Sequence, residues 1–176
     1  MESLNPAQIV REAIVLLDTA GIDGLSMRRL GSRLGTTAAA LYWHIHSKHD
    51  LVLLAVDAVW REIHLPRLSE TEWRPAAMTM ASSLYTLVVQ HPWLMAAMTS
   101  HTLDGPGWAR YDEHLTAVCR AAGFTGQDAG QAAEATVAFV LGSVVASTDA
   151  HRFSFGLQAI LDGIEVRLQA GRAPEC

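Results

Sequence analysis

Cysteine is scarce. Cys119 and Cys176 are the two in 176 residues, too few and too widely spaced for a disulfide framework or a zinc pattern. Reduced thiols in a cytoplasmic protein are therefore expected. No uncharged apolar run reaches about 18 residues, so no membrane span is expected. The opening MESLNPAQIV has no basic segment ahead of an apolar one, so no signal peptide is expected either. Repeats, low-complexity tracts and convincing strand alternation are absent. Positive charge is also in short supply: 13 Lys and Arg stand against 18 Asp and Glu, a net charge of −5. That excludes nucleic-acid binding by bulk charge and leaves only local placement of basic groups.

What remains is an ordinary globular composition, 50% hydrophobic and 18% charged. A chain of this length buries roughly 70% of its unfolded surface, enough for a core without a stabilising metal. The acidity is uneven. Residues 1–50 hold five basic groups (Arg11, Arg28, Arg29, Arg33, Lys48) and five acids, so the whole deficit lies beyond them. His44, His46 and His49 crowd into the end of the same segment.

Capping residues and glycines punctuate those first fifty residues into three short helices and the start of a long one. Asn5 with Pro6 opens the first, which Gly21 stops. Ser26 caps a second, Met27 to Leu34, ended by Gly35. Thr37 caps a third, Ala38 to about Ile45, and Ser47-Lys48-His49-Asp50 opens a helix to about His64. Two helices of about eight residues joined by a tight Gly-containing turn have the form of a helix-turn-helix, which a plain three-helix bundle also shares. The side chains favour the first reading. Leu41, Ile45 and Leu51 pack inward and leave Tyr42, His44 and Lys48 as donors suited to phosphate oxygens.

The stretch 24–51, with its Leu41-Tyr42-Trp43-His44 and Ser47-Lys48-His49-Asp50-Leu51 elements, resembles the DNA-binding module of the tetracycline-repressor (TetR) family. By that resemblance Arg28 contacts backbone phosphate and sometimes a base. Thr36, Thr37, Ala38, Ala39 and Ala40 match the turn and the exposed start of the recognition helix. Tyr42, His44 and Lys48 match phosphate clamps, and Trp43 faces the groove. Ala38, Ala39 and Ala40 form no bidentate bonds with bases. Discrimination is therefore expected from Arg28, Thr37, thymine-methyl contacts and DNA shape.

The rest reads as further helices near 72–90, 92–99, 106–122, 127–149 and 154–170, bounded by Pro92, Pro106, Gly123, the box Thr125-Gly126-Gln127-Asp128 and Gly171. The expected fold is all-α: a helix-turn-helix module over 1–47, and a ligand-binding and dimerisation bundle over 48–176. The segments Gln90-His91-Pro92-Trp93-Leu94, Ala121-Ala122-Gly123-Phe124 and Phe153 to Glu165 are similar to the C-terminal domain of tetracycline-repressor-type proteins. In that group the last long helices pair across a two-fold axis. The residues support this independently. Val137, Val140, Leu141, Val144 and Val145 give one helix a broad apolar face, and Leu157, Ile160, Leu161, Ile164 and Leu168 give the last helix another. These faces predict a four-helix dimer interface, with an internal hairpin of a monomer as the alternative. Between them Ser147 to Arg152 is shorter than the family's usual connection, either a true shortening or a missing loop.

His64, His91, Trp93, Met95, Met98, His101, Trp108, Tyr111 and Phe139 have the chemistry of a small-molecule pocket lining, and equally of an ordinary helical core. His64 matches a drug-contacting position of the tetracycline-binding members. His101 falls near a segment that there helps hold a drug-bound magnesium. Neither tetracycline nor a metal or other cofactor is inferred for this chain. An enzyme is disfavoured: no metal-ligand spacing, nucleophile elbow or phosphate-cradling glycine loop occurs. An architectural DNA-binding protein without inducer is the other alternative. The expected function is a ligand-responsive regulator, most simply a repressor. It binds a palindromic double-stranded operator as a homodimer and is released by a small molecule. The resemblance implies that this ligand shifts the long helix from Lys48 and so changes the spacing of the two reading heads.

Overall fold

The computed structural model describes residues 5–100 and 105–172. Among them there is helix and no strand. The order is α1 (Pro6–Gly24), α2 (Met27–Arg33), α3 (Ala38–Tyr42), α4 (Lys48–Glu62), α5 (Trp73–Gln90), α6 (Trp93–Ser100), α7 (Pro106–Ala122), α8 (Asp128–Ala146) and α9 (Ala150–Arg172). Their contacts divide the chain into two units, residues 1–62 with 90–108 and residues 63–89 with 109–176.

Four helix starts arise from local hydrogen bonds. The Asn5 side chain accepts from Gln8 N–H at 2.8 Å, Ser26 from Arg29 at 3.2 Å, Thr37 from Ala40 at 3.2 Å and Ser47 from Asp50 at 3.0 Å. Each satisfies an amide that the first turn leaves without a partner. Helix ends differ more from expectation. Helix α1 breaks at Gly21 as expected, its φ of 67 and ψ of −176 being non-helical, and one further turn runs on to Gly24. Helix α3 ends at Tyr42, three residues early. Helix α8 starts without a side-chain cap from the Thr125–Asp128 box, because Gln127 at the cap position makes no such bond.

In the first unit, Ile9, Ala13, Leu16 and Leu17 of α1 are buried, as are Leu30, Leu41, Ile45 and Leu51. Helix α4 adds Val52, Ala55, Val56, Val59 and Trp60 to this core. One oxygen of Asp18 accepts from His91 Nδ1 and from Trp93 Nε1, both at 2.7 Å, and so holds α1 to the start of α6. Asp57 on α4 accepts from Gly107 N–H at 2.6 Å and from Arg61 at 2.7 Å. A Cβ at Gly107 would lie 2.8 Å from the Asp57 carbonyl oxygen, so this approach requires glycine.

In the second unit α8 and α9 pack along one another. Their buried sides carry Ala129, Ala133, Val137 and Val140 against Phe153, Leu157, Leu161 and Ile164. Arg74 on α5 pairs with Asp162 and, at 2.9 Å, with Glu165 on α9. The connection at 147–149 is closed by Asp149, which accepts from the His151 N–H at 2.8 Å and the Arg152 N–H at 3.3 Å. Those backbone donors hold its carboxyl below the usual carboxylate range.

Candidate nucleic-acid interface

The turn between α2 and α3 is set by two glycines. Gly35 takes φ 64, the left-handed conformation that glycine adopts without strain. Gly31 serves close approach instead: the turn that follows it folds back so that Thr36 N–H donates to the Gly31 carbonyl at 2.9 Å. A Cβ at Gly31 would sit 2.9 Å from the Thr36 carbonyl oxygen and 3.2 Å from Ala38 N. The sequence reading singled out Gly35 and missed Gly31, whose requirement comes from the chain folding back over it.

With the turn so fixed, α3 buries Leu41 fully, and Ile45 follows it inward. The opposite side is open. Trp43 is 88% exposed and Tyr42 49%. Thr37, Ala39 and His44 are exposed, while Thr36, Ala38, Ala40 and Lys48 are half-buried. Lys48 begins α4 directly after this surface. The candidates from Thr36 to Lys48 thus lie along the turn, α3 and the start of α4, while Arg28 stands apart on α2.

The arginines separate by their partners. Arg29 Nη1 donates to the Gly24 carbonyl at 2.7 Å, and Arg33 bridges to Glu12 at 2.9 Å across α1 and α2. Arg28 is exposed, with no hydrogen bond or ion pair among the described residues. Of the three, it is the guanidinium left open to an external acceptor.

The ligand candidates are less coherent. Trp93, Met98 and Trp108 belong to the first unit, and His64, Tyr111 and Phe139 to the second. His101 lies outside the described residues. Trp93 is buried and tied to Asp18. Trp108 is half-buried and meets Trp60 edge-on at 5.0 Å. His64 is exposed and Met98 half-buried. Tyr111 is fully buried and donates to the Met80 carbonyl at 3.2 Å. Burial, and then Asp112, push its hydroxyl well above the ordinary tyrosine range. Cys119 is likewise pushed up to about 11 by burial, which leaves it an inert thiol at neutral pH.

Phe139 is half-buried and stacks near-parallel on Phe153, which in turn stacks on Tyr85 at 4.0 Å. Sequence reasoning did not select Tyr85. Its hydroxyl is buried without a hydrogen-bond partner among the described residues. A dry hydroxyl of this kind costs about 1–3 kcal/mol, and no local sequence pattern signals it.

The residues expected at a dimer interface also divide. Val137, Val140, Leu157, Leu161 and Ile164 are buried within one protomer, whereas Leu141, Val144 and Ile160 are half-buried. Phe155 and Val145 are each 75% exposed on the same helix pair, and Val166 is exposed too. A groove of about 660 Å³ on the same helix pair is lined by Phe124, Ala132, Ala135, Ala159, Ile160 and Gly163, among others.

Comparison with known proteins matches the chain in two successive stretches. Residues 9–55 match the bacterial regulatory proteins of the tetR family, and residues 65–152 match the tetracyclin repressor-like C-terminal domain. An HTH-type transcriptional regulator of Saccharopolyspora erythraea is 38% identical over 145 residues. That match covers 82% of this chain but 61% of the relative, so the chain spans about three-fifths of that protein's length. Two solved structures share the fold with a TM-score of 0.78. One is BioQ with its double-stranded DNA operator, 29% identical over 93% of this chain and 99% of that one. The other is a TetR variant of Acinetobacter baumannii in complex with minocycline, 26% identical over 94% of this chain and 99% of that one. Helix α8 is, among the described residues, the one helix long and apolar enough to cross a membrane by length and composition. It lies inside the matched C-terminal domain and packs on α9. With both of its parts matched in order, the chain belongs to the tetR family, a family of bacterial regulatory proteins rather than enzymes.

Proposed function

We propose that this protein is a cytoplasmic, ligand-responsive transcriptional repressor that binds a palindromic double-stranded operator as a homodimer and releases it on binding a small molecule. Residues 1–47 act as the reading head, and residues 48–176 as the ligand-binding and dimerisation part. The observation that carries the reading is the surface of α3. A large aromatic ring, Trp43, stands 88% exposed between Tyr42 and His44, over a backbone locked by Gly31 and Gly35, while Arg28 on α2 is left open. Exposure of that size on a short, well-anchored helix has no use in the fold and suits groove and phosphate contact.

Arg28, Thr36, Thr37, Ala38, Ala39, Ala40, Tyr42, Trp43, His44 and Lys48 form the DNA-contacting set. Two copies of α3 then enter successive major grooves about 34–36 Å apart. The operator-bound structure of BioQ supports the geometry, and the minocycline complex supports an effector in the larger part. Dimerisation uses the uncovered sides of α8 and α9: Leu141, Val144 and Ile160, extended by Val145 and Phe155. The more deeply buried Val137, Val140, Leu157, Leu161 and Ile164 support those sides from within. A coupling of about 1–3 kcal/mol between effector and operator gives roughly 5–150-fold release.

A gel shift on the DNA upstream of the protein's own gene tests the reading. Retardation is expected for the wild type, with clear weakening by Tyr42→Phe and Lys48→Ala. A wild type that ignores that DNA and random duplex alike at low salt overturns it.

A further inference from the structure

We propose that Tyr85 is a binding residue for a flat, largely apolar ligand bearing a carbonyl oxygen, which takes the hydrogen bond left open at the Tyr85 hydroxyl. The proposal rests on the effector reading and supplies its chemistry.

Two tyrosines are buried in the second unit, and they behave differently. Tyr111 reaches the Met80 carbonyl at 3.2 Å. Tyr85, only 7% exposed, reaches no acceptor among the described residues. Phenylalanine would fill the same space without a dry hydroxyl, so the oxygen is a burden on the fold unless something else meets it. Its surroundings define what that is. The Tyr85 ring lies on Phe153 with planes 16° apart, and Phe139 continues the series 6.0 Å from Phe153 at 21°. Room for the Phe139 ring depends on Gly156, since a Cβ there would lie 2.6 Å from Phe139 Cζ. The series is thus three near-parallel rings with one polar atom. Mostly aromatic lining with a single well-placed donor is the composition of a site for a flat apolar molecule with one acceptor. Phe139 is half-buried, whereas Tyr85 and Phe153 are buried.

The test compares flavone, a planar ketone, with 2-phenylnaphthalene, a hydrocarbon of similar size and shape. Binding is followed by calorimetry for the wild type and for Tyr85→Phe. The wild type is expected to prefer flavone roughly tenfold, the worth of one buried neutral hydrogen bond. Tyr85→Phe should abolish the preference, leave the hydrocarbon's affinity unchanged and melt no lower than the wild type. The carbonyl stretch of flavone should also move to lower frequency on the wild type and not on the variant. An unchanged preference in Tyr85→Phe, or a wild type that binds neither compound, overturns the proposal. The operator gel shift fails or succeeds independently of these measurements, so the two readings are separable.

Discussion

Gly31 and Arg28 show what a single residue decides in the reading head. At Gly31 the obstacle to a side chain is backbone, at 2.9 Å and 3.2 Å, which has no rotamer to move aside. Gly31→Ala is expected to cost about 1–3 kcal/mol, as overpacking does. Thermal unfolding and operator binding should both register the loss. Gly35→Ala meets no atom within 4 Å and is penalised only by its positive φ, about 1–2 kcal/mol. Sequence reading identified Gly35 because helix–Gly–turn is a local pattern. It missed the contact because nothing in Leu30-Gly31-Ser32 foretells which backbone comes near. Charge is equally specific. Arg28→Ala should weaken operator binding and lower the slope of log K against log salt by about one, the signature of a lost phosphate contact. Arg33→Ala should leave that slope unchanged, because Glu12 already neutralises the guanidinium. A slope that changes equally in both variants contradicts the assignment.

At the scale of elements, the starts of the first four helices were more legible than those of α8, whose cap box makes no bond, and α9, which begins at Ala150 rather than 154. Asn5, Ser26, Thr37 and Ser47 cap as their types and positions foretold, since a cap bond spans only three residues. Ends depend on what the last turn packs against, so a further turn follows the break at Gly21 in α1, and α3 stops at Tyr42. The Thr37 bond to Ala40 gives α3 its start. Thr37→Ala should cost about 1 kcal/mol and reduce operator affinity, whereas Thr37→Ser should restore both. The start of α9 has a pH dependence of its own. The Asp149 carboxyl is depressed by the Arg152 and His151 amides, so the stability it adds is full above the ordinary carboxylate range. That contribution is lost as pH falls through the lowered folded value. Amide-exchange protection in the first turn of α9, taken relative to the intrinsic rate at each pH, should therefore fall in acid. Asp149→Asn, which caps equally well without titrating, should remove the pH response.

For the molecule as a whole, periodicity identified apolar faces on α8 and α9 but not which partner covers each. Val140 and Leu157 have the same chemistry as Val145 and Phe155, yet the first pair is buried within the protomer and the second is three-quarters exposed. Hydrophobic spacing fixes a stripe's direction on its helix, and the width of the stripe beyond one neighbour is what points to a second copy. Phe155 is therefore a sharper probe of assembly than any residue chosen by spacing alone. A carboxylate there, introduced by Phe155→Glu, stays solvated in a lone protomer and must be desolvated in a paired one. Sedimentation is expected to show a dimer for the wild type and a shift to monomer for Phe155→Glu, with helical content retained. Operator affinity should fall by about 10²–10⁴, because one head alone loses the effective concentration that its twin supplies. A variant that remains dimeric and still binds its operator fully would move the interface away from this face of α9.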